Sequence, residues 1–421
     1  MHLLGANIGP QIRTLMLTKD FNHKTSGEIN PLELRSTTVK ELDELLYNSS
    51  HLVPTTFSGK IIDISTISQK RSVDWIHFLR FVVPTIMLDY FDEETKTALI
   101  YLAKISNMIC QRDINRSDIP SLKLYIDRWI EWLGRMIEEE RLAPSTFTTN
   151  HHYLLHLPLL IRYLGPMFVY AAFSMEFMIG VFKSRVKGKT KIGQNASNVL
   201  VEIASENRLQ RLFPVTNDKE KKALTEANSV EGMEMWGPFG VIKIEDATRH
   251  LGINGAKSLI ERFYIRYYGK DKAVEVDDKD VIEIGYNMRM PEGIVFGCSK
   301  GHIPGNRVHY FAKLNLRLDV IKRGRNILMK NLAYFGEIIT YFRYTPVGGA
   351  SVLLAFVKVF DVKSGPVFPF KIPSAPTKII VVSVHEVVSL CGRYLSADNR
   401  EHIFWKDYQL HELPIGSITL I

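Results

Sequence analysis

The sequence predicts an α+β protein, a largely helical N-terminal half followed by a β-rich C-terminal domain. Three observations carry this. In the first half apolar residues recur at helical spacing: Leu122, Ile126, Trp129 and Leu133 stand at i, i+4, i+7 and i+11. After about residue 280 the period shortens to alternation, in runs rich in β-branched and aromatic residues. Between the two, "TNDKEKKALTEANSVEG" (216–232) is charged and reads as a solvated linker or helix. These shifts divide the chain into 1–205, a charged helical linker region 206–284, and 285–421.

In order along the chain, residues 1–20 read as an amphipathic helix. It begins so abruptly that the chain is expected to start partway through something larger. Residues 52–72 form a loop-rich stretch of Ser, Thr and Gly. "DWIHFLRFVVPTIMLDYF" has helical spacing interrupted at Pro84. "DEETKTALIYLAKISNMIC" opens with acids, which favour a helix N-terminus. "NHHYLLHLPLLIRYLG" is a further short helix, and "NASNVLVEIASENRLQRLF" another. In the second half "GEIITYFRYT", "ASVLLAFVKVFDV", "TKIIVVSVHEVV" and "EHIFWKDY" read as strands, and Gly348-Gly349 between the first two is a hairpin signal. The proline-bearing "KSGPVFPFKIPSAP" is a loop.

Bulk composition bounds the function. The chain has 421 residues, is 46% hydrophobic and 23% charged, and carries a net charge of +8. That is ordinary for a folded protein and suits a polyanionic partner. The cysteines, Cys110, Cys298 and Cys391, are far apart and form no CxxC pair, so no disulfide framework is expected. The N-terminus lacks the pattern of a secretory signal.

One segment raises the sharpest question. Leu164–Phe182 is apolar or small except for Ser174 and Glu176, and is followed by Lys183, Arg185, Lys187, Lys189 and Lys191. Its length matches a bilayer span, and the cations match a positive flank. An acid at mid-depth costs roughly 2.5–3.5 kcal/mol in a bilayer, however. A helix buried against a sheet is equally apolar, and that reading, without a membrane, is the one adopted. On a helical projection Ala172, Glu176 and Gly180 share a stripe, and Lys183 and Lys187 fall within about 20° of Glu176. Small residues beside the acid leave room for a ligand to approach, although a Glu paired with Lys183 at the rim of a core fits as well. The basic run could meet phosphates or simply end a helix in solvent. His152 and His156 stand at i, i+4 on one helix face and could bind zinc, which usually requires three or four protein ligands.

Several fragments line up in order with one family. "MHLLGANIGPQIRTLML", "VPTTFSGK" with "DWIHFLRFVVPTIM", "HHYLLHLPLLIRYLGP" and "FSMEFMIGVFKSRVKG" together resemble the later catalytic region of the CACTA (En/Spm-type) DNA transposases and the segment after it. The resemblance spans much of 1–205. It implies part of an RNase H-like core with a helical insertion, and DNA cutting and joining by a D-D-E carboxylate triad with Mg²⁺. Glu176 maps onto the third acid. The second belongs just before the Met-His pair that opens this sequence, and the first further upstream, so the chain is expected to lack two of the three. One Glu cannot position the two ions of such chemistry, and the chain alone is expected not to cleave DNA.

The resemblance also implies zinc at His152 and His156 together with a Cys pair that this sequence does not contain. Residues 285–421 resemble the small β-barrel modules that follow some of these cores. DNA at transposon ends, possible chromatin proteins, a nuclear location and self-association of an incomplete core are further expectations of the resemblance. The competing expectation is a non-enzymatic nuclear interaction protein acting through its β domain.

Overall fold

The computed structural model describes residues 2–17, 30–66, 70–171, 173–186, 190–212, 229–230, 233–269, 273–290, 294–321, 327–407 and 413–420. It is an α+β molecule, helical in its N-terminal half and built on an antiparallel sheet in its C-terminal half. The chain opens with a π-helical turn, His2–Ile8, that continues as α1 (Gly9–Met16). α2 (Ser36–Ser49) follows, then α3 (Ser72–His77), which runs on into a π-helical segment, Phe78–Met87. Pro84 therefore does not interrupt this helix as expected. Proline lacks an N–H and clashes with the carbonyl four residues back, and the wider π turn accommodates both defects. Thr85 adds a bond from its hydroxyl to the carbonyl of Val82, at 3.2 Å.

α4 (Glu93–Ile109) starts as its sequence dictates. Asp92 accepts the Thr95 N–H at 2.8 Å, and Glu93 and Glu94 occupy the first turn. α5 (Ile119–Glu138) buries all four residues of the expected stripe, Leu122, Ile126, Trp129 and Leu133, and packs against α4. α6 (Thr149–Leu154) and α7 (Leu157–Leu164) are short. α7 ends at Gly165, whose φ of +82° favours glycine. α8 (Met167–Tyr170), α9 (Phe173–Arg185) and α10 (Ile192–Leu212) complete this half. Between Leu3 and Leu212 the described residues include no strand.

The sheet is formed by β1 (Ser229–Val230), β2 (Met233–Lys243), β3 (Val281–Arg289), β4 (Val295–Gly297), β5 (Phe311–Ile321), β6 (Ile327–Tyr344), β7 (Val352–Phe360), β8 (Phe370–Lys371), β9 (Thr377–Ser383), β10 (Val387–Leu395) and β11 (Glu401–Trp405). Within 206–284 lie the end of α10, β1, β2, the helices Ala247–Leu251 and Ala256–Tyr268, and the start of β3. The path runs β1-β2-β3-β6-β5-β10-β11-β8. β6 is long enough to serve three neighbours, pairing with β5 from Ile327 to Glu337, with β3 from Tyr341 to Arg343 and with β7 from Phe335 to Tyr344. β7 in turn pairs with β9, and a single 3₁₀ turn, Val384–Glu386, leads from β9 into β10. Gly348, at φ +73°, turns β6 into β7 where the Gly-Gly pair signalled a hairpin.

Both faces of the sheet are covered. The helix Ala256–Tyr268 sets Phe263 and Tyr264 against Ile284, Phe342 and Phe356. It is tied at its end by Arg266, whose Nη2 donates to Glu386 Oε2 at 2.7 Å. Elsewhere the helical half supplies the cover. One apolar cluster joins Leu99, Trp129 and Phe81 to Phe311, Tyr394, Phe404 and Trp405. At the junction Phe81 and Tyr394 both stack on Phe404, with ring centres 4.9 and 4.8 Å apart, and His77 Nε2 lies 2.6 Å from the Tyr394 hydroxyl.

Candidate nucleic-acid interface

α9 carries the segment that drew attention in the sequence. It is not one continuous apolar helix. Gly165 and Pro166 break it from α7, and Ala171, extended at ψ 136°, breaks it from α8. Among the described residues no helix is long and apolar enough to cross a membrane. Nor are its described residues buried against the sheet, where a buried helix was expected. Val169 is 70% exposed, Met175 67% and Ile179 51%. The physical reason is its sequence pattern: on a helical projection the apolar residues of Phe173–Arg185 are spread around the full circle and define no single apolar stripe. Its main helical neighbour is α10, and the strands take their cover from other helices.

The site residues fall as follows. Glu176 lies on α9, but its side chain is outside the described residues. Gly180, one turn on, is open: a Cβ there would meet nothing within 4 Å. Lys183 and Arg185 are exposed in the last turn of α9, where cations also suit the negative end of the helix dipole. Arg185 Nη1 lies 3.5 Å from Glu206 Oε2, an exposed ion pair that links α9 to α10. Lys187 and Lys189 are outside the described residues. Lys191 is exposed, with φ +52°, and its carbonyl accepts the Asn195 N–H at 3.1 Å to open α10. The structure thus groups Lys183, Arg185 and Lys191 about the junction of two helices, on a surface open to solvent.

The histidine pair is brought together. His152 Nε2 and His156 Nε2 lie 3.1 Å apart across the α6–α7 turn, and both rings are exposed. Two imidazoles at this spacing can chelate one ion. Among the described residues no group of three or more His, Cys, Asp or Glu side chains converges as a metal site. His151, their neighbour, faces the other way. It is fully buried against Trp129 and Phe147, and burial pushes its imidazole down to about 4.

Sequence reading passed over His77, Arg80 and Lys406, which line a cleft at the junction of the two halves. The signal was present in "DWIHFLRF", where His77 and Arg80 interrupt an apolar run. Lys406 stands far away in sequence and carried none. Comparison with known protein families, with curated proteins and with solved structures gave no match for this chain.

Proposed function

We propose that this chain is a transposase-derived DNA-binding protein that does not cut DNA by itself and acts in the nucleus. The observation that carries the reading is the exposed basic junction of α9 and α10, with Lys183, Arg185 and Lys191 free of the core. It lies within the stretch that resembles the CACTA transposases, on a chain of net charge +8. Lysines and arginines that meet backbone phosphates release counterions and bind duplex DNA without reading its sequence. Two-metal phosphoryl transfer holds two ions, one on the attacking and one on the leaving oxygen, and Glu176 alone, the one acid the resemblance maps onto this chain, would not position both.

The test is duplex binding by the full chain and by a Lys183→Glu/Arg185→Glu/Lys191→Glu variant. The variant is expected to lose at least about tenfold in affinity at low salt, given the large share of binding that phosphate contacts supply. Equal binding by the two proteins contradicts the interface. Nicking in Mg²⁺ or Mn²⁺ that disappears on Glu176→Gln contradicts the inactive assignment.

One observation favours a second reading, a nuclear interaction protein acting through its C-terminal sheet. β5, β6, β7, β9 and β10 pair in near-closed order, with the 3₁₀ turn at the gap, which suits a small barrel-like module. Histone-peptide binding that survives the charge reversal would favour it.

A further inference from the structure

Where α3, the π-helical segment and the end of β11 meet, a cleft of about 550 Å³ enters the molecule. That is the size of a small-molecule site. Leu4, Phe57, Ile76, Ile109 and Met167 give it apolar walls. Set into them are two cations, Arg80 and Lys406. The Arg80 Nε donates to Asn107 Oδ1 at 3.1 Å, its Nη2 donates to the Lys406 carbonyl at 2.6 Å, and the guanidinium lies 4.7 Å from the centre of the Phe81 ring. These contacts fix the fork in place and leave Nη1 without a hydrogen-bond partner among the described residues. The Lys406 ammonium lies 5.8 Å from the Phe57 ring centre. Among the described residues no carboxylate lies within 4.0 Å of either cation. A third cation, Arg112, stacks over Phe168 of the cleft lining, 5.1 Å from its ring centre.

Two like charges held in an apolar recess are costly unless an anion joins them. Burial lowers the pKa of both cations; for Lys406 it is opposed first by Asp407 and reinforced by Arg80 and Arg112, and for Arg80 it is opposed by Cys110 and then Asp407. His77, at the back of the cleft, is neutral: burial, with Arg80 next in effect, pushes it down to about 3. It adds a polar wall without adding charge. We propose that this cleft binds an amphiphilic anion, an acyl-chain or similar apolar body carrying one carboxylate or phosphate, with its acid group against Arg80 and Lys406. The site does not depend on the DNA reading, since none of its residues belongs to the basic junction.

Calorimetric titration of the full chain tests this, with dodecanoate and dodecyl phosphate below their micellar concentrations and dodecanol below its solubility limit. Saturable one-to-one binding is expected for at least one of the two acids. Dodecanol is expected to bind at least about tenfold more weakly, the scale of a charge-assisted contact. The tighter of the two acids identifies the head group. Lys406→Gln, at a partly exposed position, is expected to weaken the acid about tenfold and leave dodecanol unchanged. Met167→Trp, which fills the recess and spares the cations, is expected to weaken acid and alcohol alike. Equal affinity for dodecanol, non-saturable uptake, wild-type affinity in both variants, or tighter binding of adenosine monophosphate than of either amphiphile would overturn the assignment.

Discussion

At the scale of single residues, three buried histidines govern how the fold responds to acid. His77, His151 and His402 are all buried. Desolvation is the first cause in each case, and it pushes His77 down to about 3 and the other two to about 4. Their ordinary value is 6.5. The unfolded chain therefore takes up protons first. The stabilisation is complete above about pH 6.5 and is lost as pH falls toward the folded values, by about 1.4 kcal/mol per histidine per pH unit. Denaturation midpoints are expected to drop steeply between pH 7 and pH 5. His151→Leu is expected to flatten that slope, because it removes one such group together with a buried Nε2 that has no partner. A stability that stays flat from pH 7 to pH 5 contradicts these burials. None of the three was singled out from the sequence for this role, because what sets their titration is burial against residues distant in the chain. His77 meets Tyr394 across 317 positions.

At the scale of elements, what was legible was local. The α5 stripe could be read directly, since one periodic face and one buried face coincide. The hairpin at Gly348 could be read as well, since a positive φ demands glycine there. The Glu-bearing segment was misread because apolar content fixes neither length nor partner. Gly165, Pro166 and the extended Ala171 cut it into pieces, and the sheet expected to bury it is covered from elsewhere. β7 departs from simple alternation for a related reason. Seven of its nine residues are buried, because helices or strands lie over both faces. Where β6 passes from β5 to β7, Gly336 is a point of close approach: a Cβ there would stand 2.7 Å from the Lys358 carbonyl oxygen and 2.8 Å from Val357 Cγ1. Gly336→Val is expected to destabilise the protein by at least about 2 kcal/mol, read from urea denaturation, since the strand cannot give way without breaking the pairing on one side. A wild-type midpoint would mean that the two strands are not held at that register.

At the scale of the whole molecule, the helical half and the sheet share one apolar cluster, and the stack of Phe81, Phe404 and Tyr394 crosses between them. Sequence division by composition could not reveal this, since the contacts join residues more than 300 positions apart. The two halves are expected to unfold together. Far-ultraviolet circular dichroism, dominated by the helices, and the fluorescence of Trp129, Trp132 and Trp405, which lie in both halves, are expected to trace one coincident transition. Two separated transitions would show that the shared cluster does not couple them.

The basic junction stands apart from that core, on the exposed arm formed by α9 and α10, and the proposed function rests on it. The most direct measurement is the salt dependence of duplex binding by the full chain, from about 50 to 200 mM. Each phosphate contact contributes about 0.9 to the slope of log affinity against log salt. The wild type is expected to bind with a steep negative slope, and reversal of Lys183, Arg185 and Lys191 is expected to flatten it by about 2 to 3 units. A wild-type slope near zero, or a slope unchanged by the reversal, would contradict a DNA interface at this junction.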